Sequence, residues 1–293
     1  MQDKPDSDVL IVGCGDVGRR VAALLKSTRC SPVCIVRSGE SLSALREAGF
    51  DARRIDLDAA DSASGPPAGI AEIFYFAPPP PAGKTDTRMT RFLQELQGEA
   101  PPRRMVYIST SAVYGDCGGA WISEEQPPAP ATDRGWRRLD AERQLMAWCG
   151  TTGCEWTVLR VPGIYGPGKL PLARLRQGLP VLREADAPYT NRIHVDDLAA
   201  VCVAAMSSQH SNTTYNVSDG HPGNMTDYFF RVADAAGLPR PPEVSREEAQ
   251  HILSPGMLSF LNDSRRMDNT RMLDELGITL RYPDLDAGLA SCF

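Results

Sequence analysis

No apolar run in this 293-residue chain approaches the roughly 18 residues of a membrane-spanning helix. Histidine is scarce. The four (His194, His210, His221 and His251) show no zinc-ligand spacing, so no metal site is expected. The eight cysteines (Cys14, Cys30, Cys34, Cys117, Cys149, Cys154, Cys202 and Cys292) form no C-x-x-C pair. Cys14, Cys34 and Cys202 lie in apolar stretches and read as reduced, buried thiols rather than a disulfide framework. Basic residues are in slight deficit, 31 Lys and Arg against 37 Asp and Glu, for a net charge of −6. That balance opposes nucleic acid or an anionic membrane as partner and leaves room for a local basic patch. The opening residues, MQDKPDSDVLIVGCG, lack the basic and apolar regions of a secretory signal. A cytoplasmic protein is expected.

What is present is ordinary globular composition, 42% hydrophobic and 23% charged, enough for a sizeable core. Short apolar runs (Val9–Val12, Val33–Val36, Ile73–Phe76, Met105–Ser109 and Thr157–Arg160) alternate with amphipathic segments (Val17–Ser27, Ser41–Ala48, Thr85–Gln97 and Arg137–Gly150). A third strand is expected before Asp56. This alternation predicts βαβ units, and uninterrupted strands such as VLIV fit a sheet covered on both faces. Beyond Gly163 the pattern is irregular. Helices are expected at Leu172–Gly178, Thr226–Ala236 and Arg265–Leu276, and a strand leading into a helix at Ile193–Met206. The predicted fold is α/β: a Rossmann doubly wound parallel sheet (residues 7–168 plus 190–217) with a small C-terminal substrate lobe (169–189 plus 218–293).

Strand Val9–Val12 runs into Gly13-Cys14-Gly15-Asp16-Val17-Gly18 and then a helix. In this setting G-x-G-x-x-G is a dinucleotide signature. Gly13 permits the tight turn, Gly15 the approach of a pyrophosphate, and Gly18 close helix–strand packing. The helix start offers free N–H groups and a positive dipole end. The second strand ends Val36-Arg37-Ser38, where an NAD site carries an acid for the ribose 2′-hydroxyl. Arg37 suits a 2′-phosphate and Ser38 offers a further bond, which favours NADP over NAD. Asp56 could face the adenine.

Further on come Ser109-Thr110-Ser111-Ala112-Val113-Tyr114-Gly115, then Val161-Pro162-Gly163-Ile164-Tyr165-Gly166-Pro167-Gly168, then Ile193-His194-Val195-Asp196-Asp197-Leu198-Ala199, then Tyr215-Asn216-Val217-Ser218. With the glycine loop, these resemble the extended short-chain dehydrogenase/reductase superfamily, nearest its sugar-nucleotide epimerase/dehydratase-like branch. The resemblance covers nearly the whole chain. It implies a seven-stranded Rossmann sheet, a dinucleotide cofactor and, as the common assembly, a homodimer. It also implies roles. Thr110 would hydrogen-bond the reacting substrate oxygen. Ala77, Pro78, Val161, Pro162 and Gly163 would flank the nicotinamide side of the cofactor, and Ser109 is a further cofactor-binding candidate. Ser111 and Ala112 stand where sugar dehydratases carry acids, which disfavours dehydration.

One departure decides more than the rest. The superfamily's catalytic segment reads Y-G-x-S-K-L-x-A-E, and here it is Arg134-Gly135-Trp136-Arg137-Arg138-Leu139-Asp140-Ala141-Glu142. Arginines occupy the tyrosine and lysine positions. The tyrosine exchanges a proton with the substrate, and an arginine, with a pKa above roughly 12, cannot. Arg138 could still contact the cofactor ribose, and Arg134 an anionic substrate group or a surface carboxylate. Tyr114 and Tyr165 are substitute proton donors or packing residues. His194 reads as structural. Ser111, Trp136, Tyr165, Tyr189 and Arg192 are candidate substrate contacts, each with a plain packing or loop role as the alternative.

The residues thus predict an NAD(P)-binding oxidoreductase or epimerase-like enzyme acting on a sugar nucleotide or small carbonyl or hydroxyl compound. The competing reading is a non-catalytic NADP-binding sensor or scaffold. A nucleic-acid-linked role is opposed by the charge.

Overall fold

The computed structural model describes residues 8–28, 30–59, 65–97 and 100–293. The expected domain boundary at residue 7 lies outside them. One parallel sheet is built from β1 (Val9–Val12), β2 (Val33–Val36), β3 (Asp51–Arg54), β4 (Glu72–Tyr75), β5 (Arg104–Thr110), β6 (Glu155–Val161) and β7 (Thr213–Asn216). Their spatial order is β7-β6-β5-β4-β1-β2-β3. The order reverses between β1 and β4, the switch point at which open α/β sheets bind ligands. The edge strands β3 (DARR) and β7 (TTYN) carry few apolar residues.

The helices are α1 (Asp16–Ser27), α2 (Gly39–Glu47), α3 (Thr87–Glu95), α4 (Asp133–Thr152), α5 (Leu172–Arg176), α6 (Val195–Ser207) and α7 (Met225–Ala235), with shorter ones beyond. Strand alternation sends Val9 and Ile11 to one face and Leu10 and Val12 to the other. On the first face they meet Val21, Ala22 and Leu25 of α1 and Leu198, Val201 and Cys202 of α6. On the second they meet Met89 and Phe92 of α3 and Ala141 and Leu145 of α4. A separate cluster of Val181, Phe229, Val232, Leu285 and Leu289 packs around α7.

Two expectations change. The helix predicted from Arg137 starts at Asp133, because the Thr132 hydroxyl caps it by accepting from Gly135 N at 3.1 Å. Arg134, Arg137 and Arg138 therefore share one helix. The helix predicted over Arg265–Leu276 begins only at Thr270. Arg266 and Met267 instead pair in parallel with Trp121 and Ile122, an arrangement that sequence periodicity cannot reveal.

A buried polar chain ties the sheet together. Glu142 is 1% exposed and Arg160 5%. Glu142 Oε2 lies 2.8 Å from Arg160 Nη2, and Oε1 accepts from the Ser109 hydroxyl at 2.5 Å. The Arg160 guanidinium sits 4.7 Å from the centre of the Tyr114 ring. The Tyr114 hydroxyl donates to Asn216 Oδ1 at 2.6 Å, and Asn216 Nδ2 donates to the carbonyls of Ile122 and Asp268. Removing one charge would strand the other away from water. Glu142→Gln should therefore cost about 3 kcal/mol in a urea denaturation experiment. Pairing Glu142→Leu with Arg160→Met should cost less than the two single changes summed.

Asp219, just past β7, is also buried. Burial pushes its carboxyl up to about 6, against the opposing pull of the His221 N–H and of Arg192. The native state then holds the proton more tightly than the unfolded chain, so stability falls as pH rises from about 4 to about 6 and stays reduced above that range. Asp219→Asn should gain about 2 kcal/mol near pH 7.5, an advantage that shrinks to well under 1 kcal/mol near pH 4. Thermal melts at both pH values check this.

Candidate functional site

Two cavities open at the carboxyl ends of the strands and meet at the proline run, sharing Pro78, Pro79 and Pro81. One is a groove of about 640 Å³ along the glycine loop, walled by Gly13, Gly15, Arg37, Ser38, Asp56, Asp58 and Ala77. The other, of about 580 Å³, holds Thr110, Ser111, Arg134, Arg138, Pro162, Gly163, Tyr165, Tyr189 and Arg192.

Each loop glycine has its own physical reason. At Gly13 (φ +82°) a Cβ would come within 2.5 Å of Ala77 N, so only glycine lets β1 run this close to the segment after β4. A Cβ on Gly18 would sit 3.2 Å from Ile11 Cγ2, which reflects the tight helix–strand packing. At Gly15 the space is open, its nearest neighbour being Gly13 O at 4.0 Å. Gly15 also caps α1 with no side-chain hydrogen bond, leaving first-turn N–H groups for an incoming ligand. An open cradle and an uncapped helix start fit the pyrophosphate of a dinucleotide.

Asp16, Val17 and Gly18 lie outside the groove lining. Burial works against ionisation of Asp16, but Lys169, 2.9 Å away, and Arg20 hold its carboxyl below the usual range. At the far end the Arg37 side chain is 68% exposed and stands 3.9 Å from Asp58. Ser38 caps α2, accepting from Ser41 N and donating to the Ser41 hydroxyl. Asp58 is engaged by Arg88, with Nε at 2.7 Å and Nη2 at 2.5 Å, a pairing that depresses its carboxyl pKa. The Arg88 Nη1 also donates to the carbonyls of Pro78 and Pro79, fixing the shared wall of the two cavities.

In the second cavity the Thr110 Oγ1 accepts from Ala112 N. Arg138 donates to Ile108 O at 2.9 Å and contacts the Tyr107 hydroxyl at 3.3 Å, which ties it to the end of β5. Arg134 lines the mouth, where burial lowers its pKa. Arg192, 7% exposed, donates to the Thr190 hydroxyl and lies 3.9 Å from the Tyr228 ring centre.

Several expected site residues are elsewhere. Tyr114 does not line the cavity. It is buried, its hydroxyl is spent on Asn216, and burial pushes its pKa up to about 12, so it is withdrawn as a proton donor. Ser109 is buried against Glu142, and Val161 faces the sheet core. Trp136 packs beside Val113, Leu139 and Met267. Tyr165 lines the cavity, but its hydroxyl donates to Asp284 O and burial raises its pKa. His194 is structural. Its Nδ1 accepts from Asp196 N to cap α6, and its ring lies against Tyr282, tilted by 43° with centres 3.8 Å apart.

The cavity also gathers residues that no motif marked. Met225, Tyr228 and Phe229 come from α7, Met257 from a later helix, and Asp263 and Arg265 from the loop after it. Their only trace in the sequence is an amphipathic pattern that any core helix shows.

Residues 9–218 match the profile of the NAD dependent epimerase/dehydratase family. The 3-diazoavenalumate denitrifying reductase of a Streptomyces species is 28% identical over 212 residues, 69% of each chain. A functionally unknown conserved protein from Silicibacter pomeroyi is 30% identical, with a TM-score of 0.84 over 96% of both chains. MoeE5, solved with UDP-glucose and NAD, is 22% identical with a TM-score of 0.76 over 97% of both, and so shares the fold. Among the described residues no helix is long and apolar enough to cross a membrane. The chain is a member of the NAD dependent epimerase/dehydratase family, the branch of the extended short-chain dehydrogenase/reductase superfamily that its motifs resemble.

Proposed function

We propose that the chain is an NADP(H)-dependent reductase of a small organic substrate, with Arg134 and Arg138 in place of the family's tyrosine and lysine. The observation that carries this reading is the junction of groove and cavity at Pro78, Pro79 and Pro81. A dinucleotide would be held by Gly13, Gly15, Arg37, Ser38 and Ala77, with Pro162, Gly163 and Arg138 beside its reactive end. When bound, that cofactor supplies or accepts a hydride. Residues 169–189 and 218–293 form the substrate-facing lobe.

The residues of the chain then divide the work. Thr110 orients a substrate oxygen. Arg138 faces the reacting region from an anchored position, and Arg134 presents a fixed charge. A guanidinium is a poor proton donor or acceptor near neutral pH, so any proton the reaction needs comes from water admitted at the cavity mouth. The reductase direction agrees with the relative named for 3-diazoavenalumate. A sensor without turnover would need the groove alone, whereas this chain keeps a second, arginine-lined cavity against it.

NADP preference rests on Arg37 and on the neutralisation of Asp58 by Arg88. Fluorescence titration should show NADPH binding more tightly than NADH. Arg37→Glu should weaken NADPH about tenfold or more and leave NADH nearly unchanged. Equal losses for both cofactors would remove the 2′-phosphate role, and binding of neither would remove the enzyme reading.

A further inference from the structure

Five arginines line the substrate cavity (Arg134, Arg137, Arg138, Arg192 and Arg265), against one carboxylate among the described residues, Asp263. Asp263 lies 3.4 Å from Arg265. Arg134, Arg137 and Arg138 stand at i, i+3 and i+4 in the first two turns of α4 and so share a face. Two local rules oppose this arrangement. Like charges at these spacings repel, and cations at a helix N-terminus meet the positive end of its dipole. Sequences break such rules where a site requires it.

Two of the arginines, Arg137 and Arg192, are also left without full compensation. Arg137 is 8% exposed. It donates to Gly83 O through Nη1, while its Nε has no hydrogen-bond partner among the described residues. Arg192 has no carboxylate within ion-pair distance among the described residues; it donates to the Thr190 hydroxyl, lies over the Tyr228 ring and is only partly offset, at longer range, by Asp219 and Asp227. Burial lowers the pKa of Arg192. An anion entering the cavity would reverse that penalty.

The cavity also has apolar lining, from Met225, Tyr228, Phe229 and Met257. It offers little to a sugar. Asn191 spends its amide on Arg265 O and Met267 N, and the Thr190 hydroxyl is committed to Gly223 O and Arg192. We propose that this cavity binds a small organic acid, its carboxylate held by Arg134 and Arg137 with Arg265 beside them, and its apolar body against Met225, Tyr228, Phe229 and Met257. The planar guanidinium fork matches a carboxylate in two-point contact, which a lysine in these positions would not provide. The inference rests on reading this cavity as the substrate site.

The test is isothermal titration of the full chain, cofactor-free and saturated with NADP⁺, with four probes: trans-cinnamate, cinnamyl alcohol, phenyl phosphate and UDP-glucose. Cinnamate should bind about tenfold more tightly than the uncharged alcohol, and the difference should shrink with added NaCl. Arg134→Met and Arg137→Met should each remove about tenfold of the cinnamate affinity while leaving cinnamyl alcohol and NADPH binding unchanged. If Arg137→Met fails to fold, the exposed Arg134→Met decides alone. No cinnamate binding, equal binding of acid and alcohol, or tighter binding of phenyl phosphate or UDP-glucose would each overturn the proposal. NADPH binding without cinnamate binding sinks this inference and leaves the reductase reading standing. Cinnamate binding without NADPH binding does the reverse.

Discussion

The contact between Gly13 and the backbone at Phe76 and Ala77 sets the position of both cavities. At a positive φ, and with a Cβ excluded by Ala77 N at 2.5 Å, Gly13 lets the ends of β1 and β4 close together at the switch point of the sheet. The chain leaving β4 then has nowhere to go except outward across the strand ends, and there it meets four consecutive prolines. Their fixed φ makes that segment a stiff wall rather than a mobile loop. Arg88 clamps it through two proline carbonyls while Asp58 holds Arg88. One side of the wall is the groove, and the other is the arginine-lined cavity. A side chain at position 13 would push the wall away and change both at once.

Charge is handled in two ways in this molecule, and the contrast separates structure from site. Glu142 and Arg160 neutralise each other in a fully buried pair that joins α4 to β6. The cavity arginines are instead positioned largely by backbone carbonyls: Arg137 by Gly83 O, Arg138 by Ile108 O and Arg265 by Gly115 O. A carbonyl fixes a guanidinium in place without cancelling its charge. Desolvating a cation costs several kcal/mol even after relaxation, more than one neutral acceptor returns. The field inside the cavity is therefore kept at the expense of stability.

Much of this was legible in the sequence. Strand alternation in VLIV gave the two-faced sheet, and the glycine spacing located the groove, because both depend on neighbours within a few residues. The proposed replacement of the family's tyrosine and lysine rests on the register that Gly135, Leu139, Ala141 and Glu142 give to α4. What stayed hidden depends on distant partners. Ser109, Val161 and Tyr114 sit within site motifs yet turn toward the core, because Glu142, Arg160 and Asn216 wait there. Trp136 lies within the catalytic segment but on the face of α4 that packs on Val113 and Met267. Arg265, Met225 and Tyr228 reach the cavity only because their segments fold back over the strand ends, and no local pattern encodes that return.

An arginine where the family carries a tyrosine, as proposed for position 134, would change the kind of chemistry the site can do. A tyrosine works by titrating, so its contribution follows its pKa and needs a neighbouring cation to bring that pKa into range. An arginine contributes the same charge at every physiological pH. Its effect is electrostatic and constant: it favours negative charge in the ground state, the transition state or both. With five arginines and Asp263 among its described lining residues, the cavity would, on the proposed reading, select by charge before any reaction begins. Selectivity of that kind weakens with salt and is insensitive to pH wherever the ligand stays ionised, whereas a tyrosine-dependent site behaves in the opposite way. The fold is that of a proton-transferring family, but the residues lining its cavity point to recognition of an anion.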